Sequence, residues 1–574
     1  MGYREASRKI LPLAVFLLTF VAFVPALDGQ FVNWDDDRNF LTNQSYRGLG
    51  WTHLKWMWTT TLLGHYIPLT WMTLGLNYVL GGLDPWGYHL GNLLIHSANA
   101  VLFSLVARRL LATNGWGGAP TRWGAAFAAL VFGIHPLRVE SVAWVTERRD
   151  LLCGFFFLLT VLAYLRSVEP DARAARWRAL SLALFVAALL SKAQALPLPL
   201  ALLLLDRYPL RRVDALGWRR VLVEKVPYAV IALALTPPVL LAVKHGSGFT
   251  DLQHYGPAAR LAMTAYGIVF YPWKWLWPVG LSPLYELPGR VELLAPRFLV
   301  PLLILVVVSG LLVALRHRWP AGLAAWLYSA LMVLPNVGLV HTGRQLVTDR
   351  YSYLSGLGFA LLVGAAVVWV IRSGERQLVR PSLVRVCAAG TLLVLFGLGS
   401  ATWIQASGWK DSETLWAWAV EQDPQCAACL SNFGEAIGRD RPRDAEAAFA
   451  QSLALREQPA ARNNLGAVFE LQGRVEEAEA AYRQALATDA DFPEALVNLG
   501  VLYAKHGRDT EALPLLRRAF RVDPEFPQLR GHLSRVLHRR AARLMDERQQ
   551  VAARALVDEA RAVAPARGAL RRAP

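Results

Sequence analysis

The chain has 574 residues, 54% of them hydrophobic, with 21 Trp and a formal net charge of +17. Soluble domains sit nearer roughly 45–50% apolar, so composition excludes an ordinary soluble globular protein and marks a polytopic membrane protein. In a soluble chain such a charge would point to nucleic acid. Here the Arg residues cluster in short loops between apolar runs, as the positive-inside rule requires, and no nucleic-acid partner is expected.

Arg4, Arg8 and Lys9 precede a first apolar run over about residues 10–27. No small-x-small cleavage site parts it from the acidic stretch beyond, so it reads as a membrane helix with a cytoplasmic N-terminus rather than a signal peptide. Where that helix should surface comes Phe31-Val32-Asn33-Trp34-Asp35-Asp36-Asp37-Arg38-Asn39. Three successive carboxylates repel one another, hydrate strongly and cannot rest in hydrocarbon. Trp51, Trp56, Trp58, Tyr66 and Trp71 follow in the same loop and suit interfacial helices.

Further apolar runs lie near 88–107, 123–134, 151–165, 178–191, 193–205, 226–243, 298–315, 320–340, 353–371 and 384–403, which makes eleven spans. A span needs about 20 residues, so the runs near 123 and 178 are expected to extend into their flanks. Eleven spans place the Arg108–Arg122, Arg166–Arg178, Arg207–Arg220 and Arg372–Arg385 loops all on the cytoplasmic side. Residues 261–281 are apolar too, but Pro272, Lys274 and Pro278 favour an interfacial or re-entrant piece.

From about residue 409 the chain turns Ala-, Glu- and Arg-rich, and a repeat appears. Pro459, Pro493 and Pro527 recur at one spacing, as do Asn464-Leu465-Gly466 and Asn498-Leu499-Gly500, with Asn432-Phe433-Gly434 before them. This is the tetratricopeptide pattern of paired helices. Expected domains are a membrane domain over 1–408, a repeat domain over 409–565 ending in a degenerate fourth or capping pair, and a disordered tail over 566–574. With an odd number of spans the repeats lie on the same side as the Asp cluster.

Asp35 and Asp36 are the first candidates for chemistry. A positioned carboxylate can take the proton of an attacking hydroxyl, and adjacent carboxylates can hold a divalent cation. The alternative is a solvated loop start. The second site runs from His135-Pro136-Leu137-Arg138-Val139-Glu140 to Glu147-Arg148-Arg149-Asp150, ionisable groups crowded at a membrane surface. Arg138, Arg148 and Arg149 can grip a lipid phosphate bidentately, or pair internally with the glutamates of the same segment. Lys192, in the turn Ser191-Lys192-Ala193-Gln194, would cost about +3 kcal/mol at mid-bilayer unless paired or snorkelled. Arg344 and Arg350, in the stretch from His341 to Tyr353, are further phosphate candidates, with Asp349 near enough in sequence to neutralise either. His89 and His96 share one helical face, where helix packing is the commoner role and no third ligand completes a metal site. Cys153 and Cys387 lie within spans. Cys426-x-x-Cys429 reads as a local structural disulfide, without the strand–helix context of a redox motif.

These stretches together resemble a known family. FVNWDDD, then LNYVLGGLDPWGYHLGNLLIHSANAVLF, HPLRVESVAWVTERRDLL and TDRYSYLSGLG, closed by tetratricopeptide repeats, are similar to the transmembrane-and-tetratricopeptide-repeat protein O-mannosyltransferases and their bacterial relatives. More distantly they resemble the protein O-mannosyltransferases of the C-type glycosyltransferase superfamily. The resemblance implies an all-α membrane fold followed by an α-solenoid, in the bacterial inner membrane with periplasmic repeats. It implies transfer of a sugar, mannose being expected, from a polyprenyl-phosphate donor to a protein Ser/Thr hydroxyl or a glycan, with inversion. Asp35 or Asp36 would be the base, and Arg138, Arg148, Arg149 and Lys192 would surround the phosphate, with Glu140, Asp150 and His89 in the pocket. The family pattern is Asp-Glu where this chain has Asp-Asp-Asp, which leaves open which carboxylate acts.

Two other readings compete. A membrane-anchored repeat scaffold needs one span, not eleven. A transporter predicts charges inside spans and matching broken helices in two halves. A reporter fused after Trp409 that is active only outside the cytoplasm, such as alkaline phosphatase, is expected to be active; an inactive fusion reverses the topology.

Overall fold

The computed structural model describes residues 2–113, 115–246, 255–338, 343–524, 526 and 528–563, with side chains from Ile10 onward. Pro527, His341, Thr342 and the expected tail over 566–574 lie outside them. The chain divides into two units, Met1–Leu415 and Trp416–Pro574. The division falls inside the helix Ser412–Gln422, a little beyond the expected 408/409, because residues 410–412 hydrogen-bond back onto the first loop.

In the first unit each of the eleven expected apolar segments becomes a helix: Gly2–Ala22, Pro85–Ala112, Gly118–Gly133, Arg148–Ser167, Ala174–Ser191, Leu198–Arg207, Trp218–His245, Pro296–Ala314, Pro320–Val333, Leu357–Glu375 and Pro381–Ser407. Among the described residues, seven helices are long and apolar enough to cross a bilayer, or eight if Gly118–Gly133 and Pro136–Ala143, bent by 59°, count as one broken span. Leu198–Arg207 has 10 residues, a rise of about 15 Å against about 30 Å of hydrocarbon. It is short because the chain breaks at Lys192 and restarts only at the prolines 197 and 199. Pro320–Val333, with 14 residues, stops before Pro335. Pro257–Leu276 is a continuous helix of 20 residues but does not join the spanning set.

Burial sorts the helices. The most apolar window is 72% buried in Val145–Ser167 and 56% in Pro85–Ala112, but 11% in Trp218–His245 and 0% in Pro381–Ser407. The first two form the core, and the outer ones leave apolar side chains to lipid. That core carries a polar stripe, Asn92, His96 and Asn99, on one face of the Pro85–Ala112 helix. Asn92 Nδ2 donates to the Val142 and Trp144 carbonyls at 3.1 and 3.2 Å, and Asn99 Nδ2 to the Leu151 carbonyl at 2.8 Å. His96 Nε2 meets the Gly133 carbonyl at 2.8 Å. The stripe thus satisfies the irregular backbone between residues 133 and 151, which a bilayer-facing position would leave unpaired. A two-stranded antiparallel pair, Tyr285–Glu286 with Gln345–Val347, holds the third site segment.

The second unit is a row of antiparallel helix pairs: Ala427–Ile437 with Pro442–Leu455, Pro459–Leu471 with Val475–Thr488, Pro493–Lys505 with Asp509–Val522, and Leu529–Asp546 with Gln550–Val563. Within the second and third pairs the turn needs a left-handed residue, supplied by Gly473 and Gly507, both at φ +75°. Gly466 and Gly500 let the paired helices close; a Cβ there would lie 2.7 Å from the Tyr482 ring and 2.8 Å from Leu516. The final pair occupies the expected capping position. The Cys426 and Cys429 sulfurs are bonded at the start of the first repeat helix.

Candidate active site

The site begins with the acidic loop. Asp36 is fully buried. Its Oδ2 accepts from the Val32 amide at 3.1 Å, and its Oδ1 from the Thr146 hydroxyl at 2.6 Å and the Thr146 amide at 3.2 Å. Asn39 Nδ2 donates to the same Thr146 hydroxyl at 2.9 Å. One carboxylate thereby latches the acidic loop to the His135–Asp150 segment. Asp35 differs from it in every respect. Its backbone is left-handed at φ +75°, its side chain is half-buried, and no described residue donates a hydrogen bond to its carboxylate. A left-handed non-glycine residue is strained and persists where its surroundings over-determine it.

The second segment supplies a dense ion network. Glu140 accepts from the Arg350 amide at 2.7 Å and from Arg350 Nη1. Glu147 Oε1 takes Arg149 Nη2 at 2.6 Å and Nε at 3.2 Å, with Arg350 Nε at 3.3 Å. Glu147 Oε2 takes Lys192 Nζ at 2.8 Å, and the same ammonium lies 2.7 Å from Asp150 Oδ1. Three cations thus face three buried carboxylates, which offsets the cost of removing all six from water. Burial pushes the Asp35 carboxyl up, while Arg149 and Arg350 pull it back. Burial, Arg149 and Lys192 together push the His65 imidazole well down. His65 therefore belongs with this group, and with Asn39, Thr146 and Arg149 it lines a small pocket beside Asp36.

The remaining candidates divide. Arg138 is fully buried, and none of its three guanidinium nitrogens meets a hydrogen-bond partner among the described residues. It lies between Phe132 and Tyr353, 5.3 and 5.7 Å from their ring centres. Such a cation is held by aromatic faces; Asp349 and Asp150 act on it electrostatically, but neither accepts a hydrogen bond from it. Arg148 faces elsewhere, donating to Asn92 Oδ1, to Asn77 Oδ1 at 2.8 Å and to the Tyr88 carbonyl at 2.7 Å. It ties core helices together. Arg344 is exposed next to the short strand pair, away from the network. His89 packs against Gly29, and His96 donates or accepts at the Tyr353 hydroxyl, 2.9 Å away. Among the described residues no group of three or more His, Cys, Asp or Glu is arranged for a metal. Asp36 is committed to Val32 and Thr146, so the residues present do not fit a divalent cation bridged by Asp35 and Asp36.

Sequence reasoning passed over Thr146 and His65, while the internal Glu–Arg pairing it offered as an alternative is made by Arg149 with Glu147. His65 is an isolated residue in an aromatic loop and carries no spacing signal.

Comparison with known proteins follows this geometry. Tetratricopeptide-repeat family models match residues 435–491 and 469–536. Protein O-mannosyl-transferase tmtc2 of Xenopus laevis is 37% identical over 142 residues, 23% of this chain and 16% of that protein. Protein O-mannosyl-transferase TMTC4 of Mus musculus is 28% identical over 481 residues, 74% of this chain and 63% of its own length. The chain therefore spans less than two thirds of these curated relatives. Among solved structures, ArnT from Cupriavidus metallidurans bound to undecaprenyl phosphate superposes with a TM-score of 0.31 at 19% identity, over 83% of this chain and 80% of that one. A superposition this loose says nothing about chemistry. Fold and repeats together define a polytopic membrane protein with a tetratricopeptide-repeat array. The chain is a relative of the transmembrane-and-tetratricopeptide-repeat protein O-mannosyltransferases.

The Asp36 latch has a pH signature. Burial pushes its pKa from 3.8 up to about 7. A carboxyl raised on folding binds its proton more readily folded than unfolded, so its contribution is most favourable in acid. Stability then falls as pH rises from about 4 to about 7 and levels beyond. The apparent unfolding midpoint of the solubilised protein should drop between about pH 5 and about pH 8, and the drop should shrink in Asp36→Asn, whose amide does not titrate. An equal drop in both proteins would refute the latch as the titrating group.

Proposed function

We propose that the protein is an integral-membrane glycosyltransferase. It moves a sugar, mannose in the simplest reading, from a polyprenyl-phosphate donor to a protein Ser/Thr hydroxyl or a glycan on the periplasmic side. The activity in the relatives' names supports this reading, and one observation carries it: the Asp35 carboxylate accepts no hydrogen bond from a described residue, whereas that of Asp36 accepts three. In this mechanism the Asp35 carboxylate accepts the proton of the acceptor hydroxyl as its oxygen attacks the anomeric carbon. The bond from that carbon to the phosphate oxygen breaks, and polyprenyl phosphate departs with the electron pair. Attack from the face opposite the leaving group inverts the anomeric centre.

The leaving phosphate needs cations with donors to give. Lys192 has a third N–H beyond those facing Glu147 and Asp150. Arg149 Nη1 has no partner among the described residues, and Arg138 has its whole guanidinium. Arg148 and Arg344 have no part in this arrangement. For the prenyl chain, an apolar cavity of about 130 Å³ lies between membrane helices, lined by Phe103, Leu158, Leu202 and Leu361. Leu357 and Gly358 also border it, one and two residues from the Gly356 that abuts Arg138. The repeats would recruit the acceptor. A membrane-held scaffold would need neither the unpaired carboxylate nor the unpartnered guanidinium.

Asp35→Asn should insert normally and lose transfer from a prenyl-phosphate sugar by roughly 10²–10⁴-fold, the range of a positioned base. Arg138→Ala should instead raise the KM for the donor. Wild-type transfer by Asp35→Asn would remove the base and, with it, the reading.

A further inference from the structure

Asp35 is unpaired at its side chain and strained at its backbone, so something on either side must hold it. Downstream the Asp36–Thr146 latch does so. Upstream the grip comes from the far end of the first unit. The Gln30 amide donates to the Lys410 carbonyl at 2.7 Å, and the Asn33 amide to the Ser412 hydroxyl oxygen at 2.9 Å. Ser412 is fixed in turn, because Asp411 Oδ1 accepts from the Thr414 amide at 2.8 Å and its hydroxyl at 2.7 Å. That is an N-terminal cap on the Ser412–Gln422 helix. Trp409 is buried with its ring centre 6.1 Å from that of Trp144, which lies 6.2 Å from that of Trp34. Just before this strap, the Thr402 hydroxyl donates to the Ile134 carbonyl at 2.7 Å, next to His135. Residues 402–412 thus touch the acidic loop, the turn that carries Thr146, and the start of the Arg138 segment.

We propose that Ser412 is a positioning residue for Asp35, acting through the Asn33 amide, and that Trp409–Ser412 is the strap that sets the reactive loop. This rests on the reading of Asp35 as base. The held amide is two positions before Asp35, and the Val32 amide that Asp36 binds is four positions before it, so the chain between is clamped at both ends. Removing the hydroxyl frees the Asn33 amide and lets φ of Asp35 relax out of the left-handed region. The carboxylate then moves off the line of the acceptor hydroxyl while Arg138, Lys192 and Arg149 stay in place.

The test uses the full-length protein in proteoliposomes, with donor kinetics and hydrogen exchange over residues 29–36 measured together. Ser412→Ala should lower kcat roughly tenfold to a hundredfold, as misplacement of a reacting group does, leave the donor KM unchanged and speed exchange. Ser412→Thr, which retains the hydroxyl, should keep kcat and exchange near wild type. If Ser412→Ala accumulates poorly, Ser412→Thr against the isosteric Ser412→Val gives the same contrast. Unchanged exchange in the variants that lack the hydroxyl overturns the strap. Wild-type kcat in them, with Asp35→Asn inactive, overturns the positioning role and leaves the base standing. Normal transfer by Asp35→Asn overturns both.

Discussion

A carboxylate with no access to water joins the two halves of this site. Asp36 accepts from Val32 within its own loop and from Thr146 in a segment more than a hundred residues on. Burying an unpaired carboxylate costs far more than a hydrogen bond returns, so the three donors are obligatory once the side chain is inside. That requirement fixes the acidic loop against the His135–Asp150 segment. Everything else follows from the contact: the half-buried Asp35 beside it, and the cations of Arg149 and Arg350 within electrostatic reach.

The second constraint is charge balance. Glu140, Glu147 and Asp150 face Arg149, Lys192 and Arg350 in a largely water-free interior. Removing one member leaves its partner's charge exposed to low dielectric, which breaks such a network by several kcal/mol. Arg138 stands apart from that balance. Aromatic faces hold it, and Asp349 and Asp150 act on it without hydrogen-bonding it, so on the proposed reading it is where the donor phosphate gains most.

Much of this architecture could be read from the sequence. Apolar run length located the eleven helices expected of the spans, because burial in lipid leaves no other way to satisfy the backbone. It misjudged how many reach full length, since helix stops at Lys192 and Pro335 shorten two of them. The repeat spacing located the helix pairs, because each pair must bury the same small residues. The site was legible as residue types but not as partners. Arg148 and Arg149 are adjacent, yet successive helix positions point about 100° apart, so one ties core helices and the other meets Glu147. Nothing in the string of residues says which. Ser412 was invisible for the same reason: its role exists only once the end of the last membrane helix folds back onto Asn33.

The torsion at Asp35 leaves an evolutionary footprint. A left-handed backbone costs an aspartate less than most residues, but still something that glycine would not feel. Selection for robust folding alone would drift this codon toward glycine, so on the proposed reading a lineage that resists the drift records demand for a proton acceptor. On the function proposed above, a lineage that yields to it would keep the membrane-held repeats and lose the group that deprotonates the acceptor.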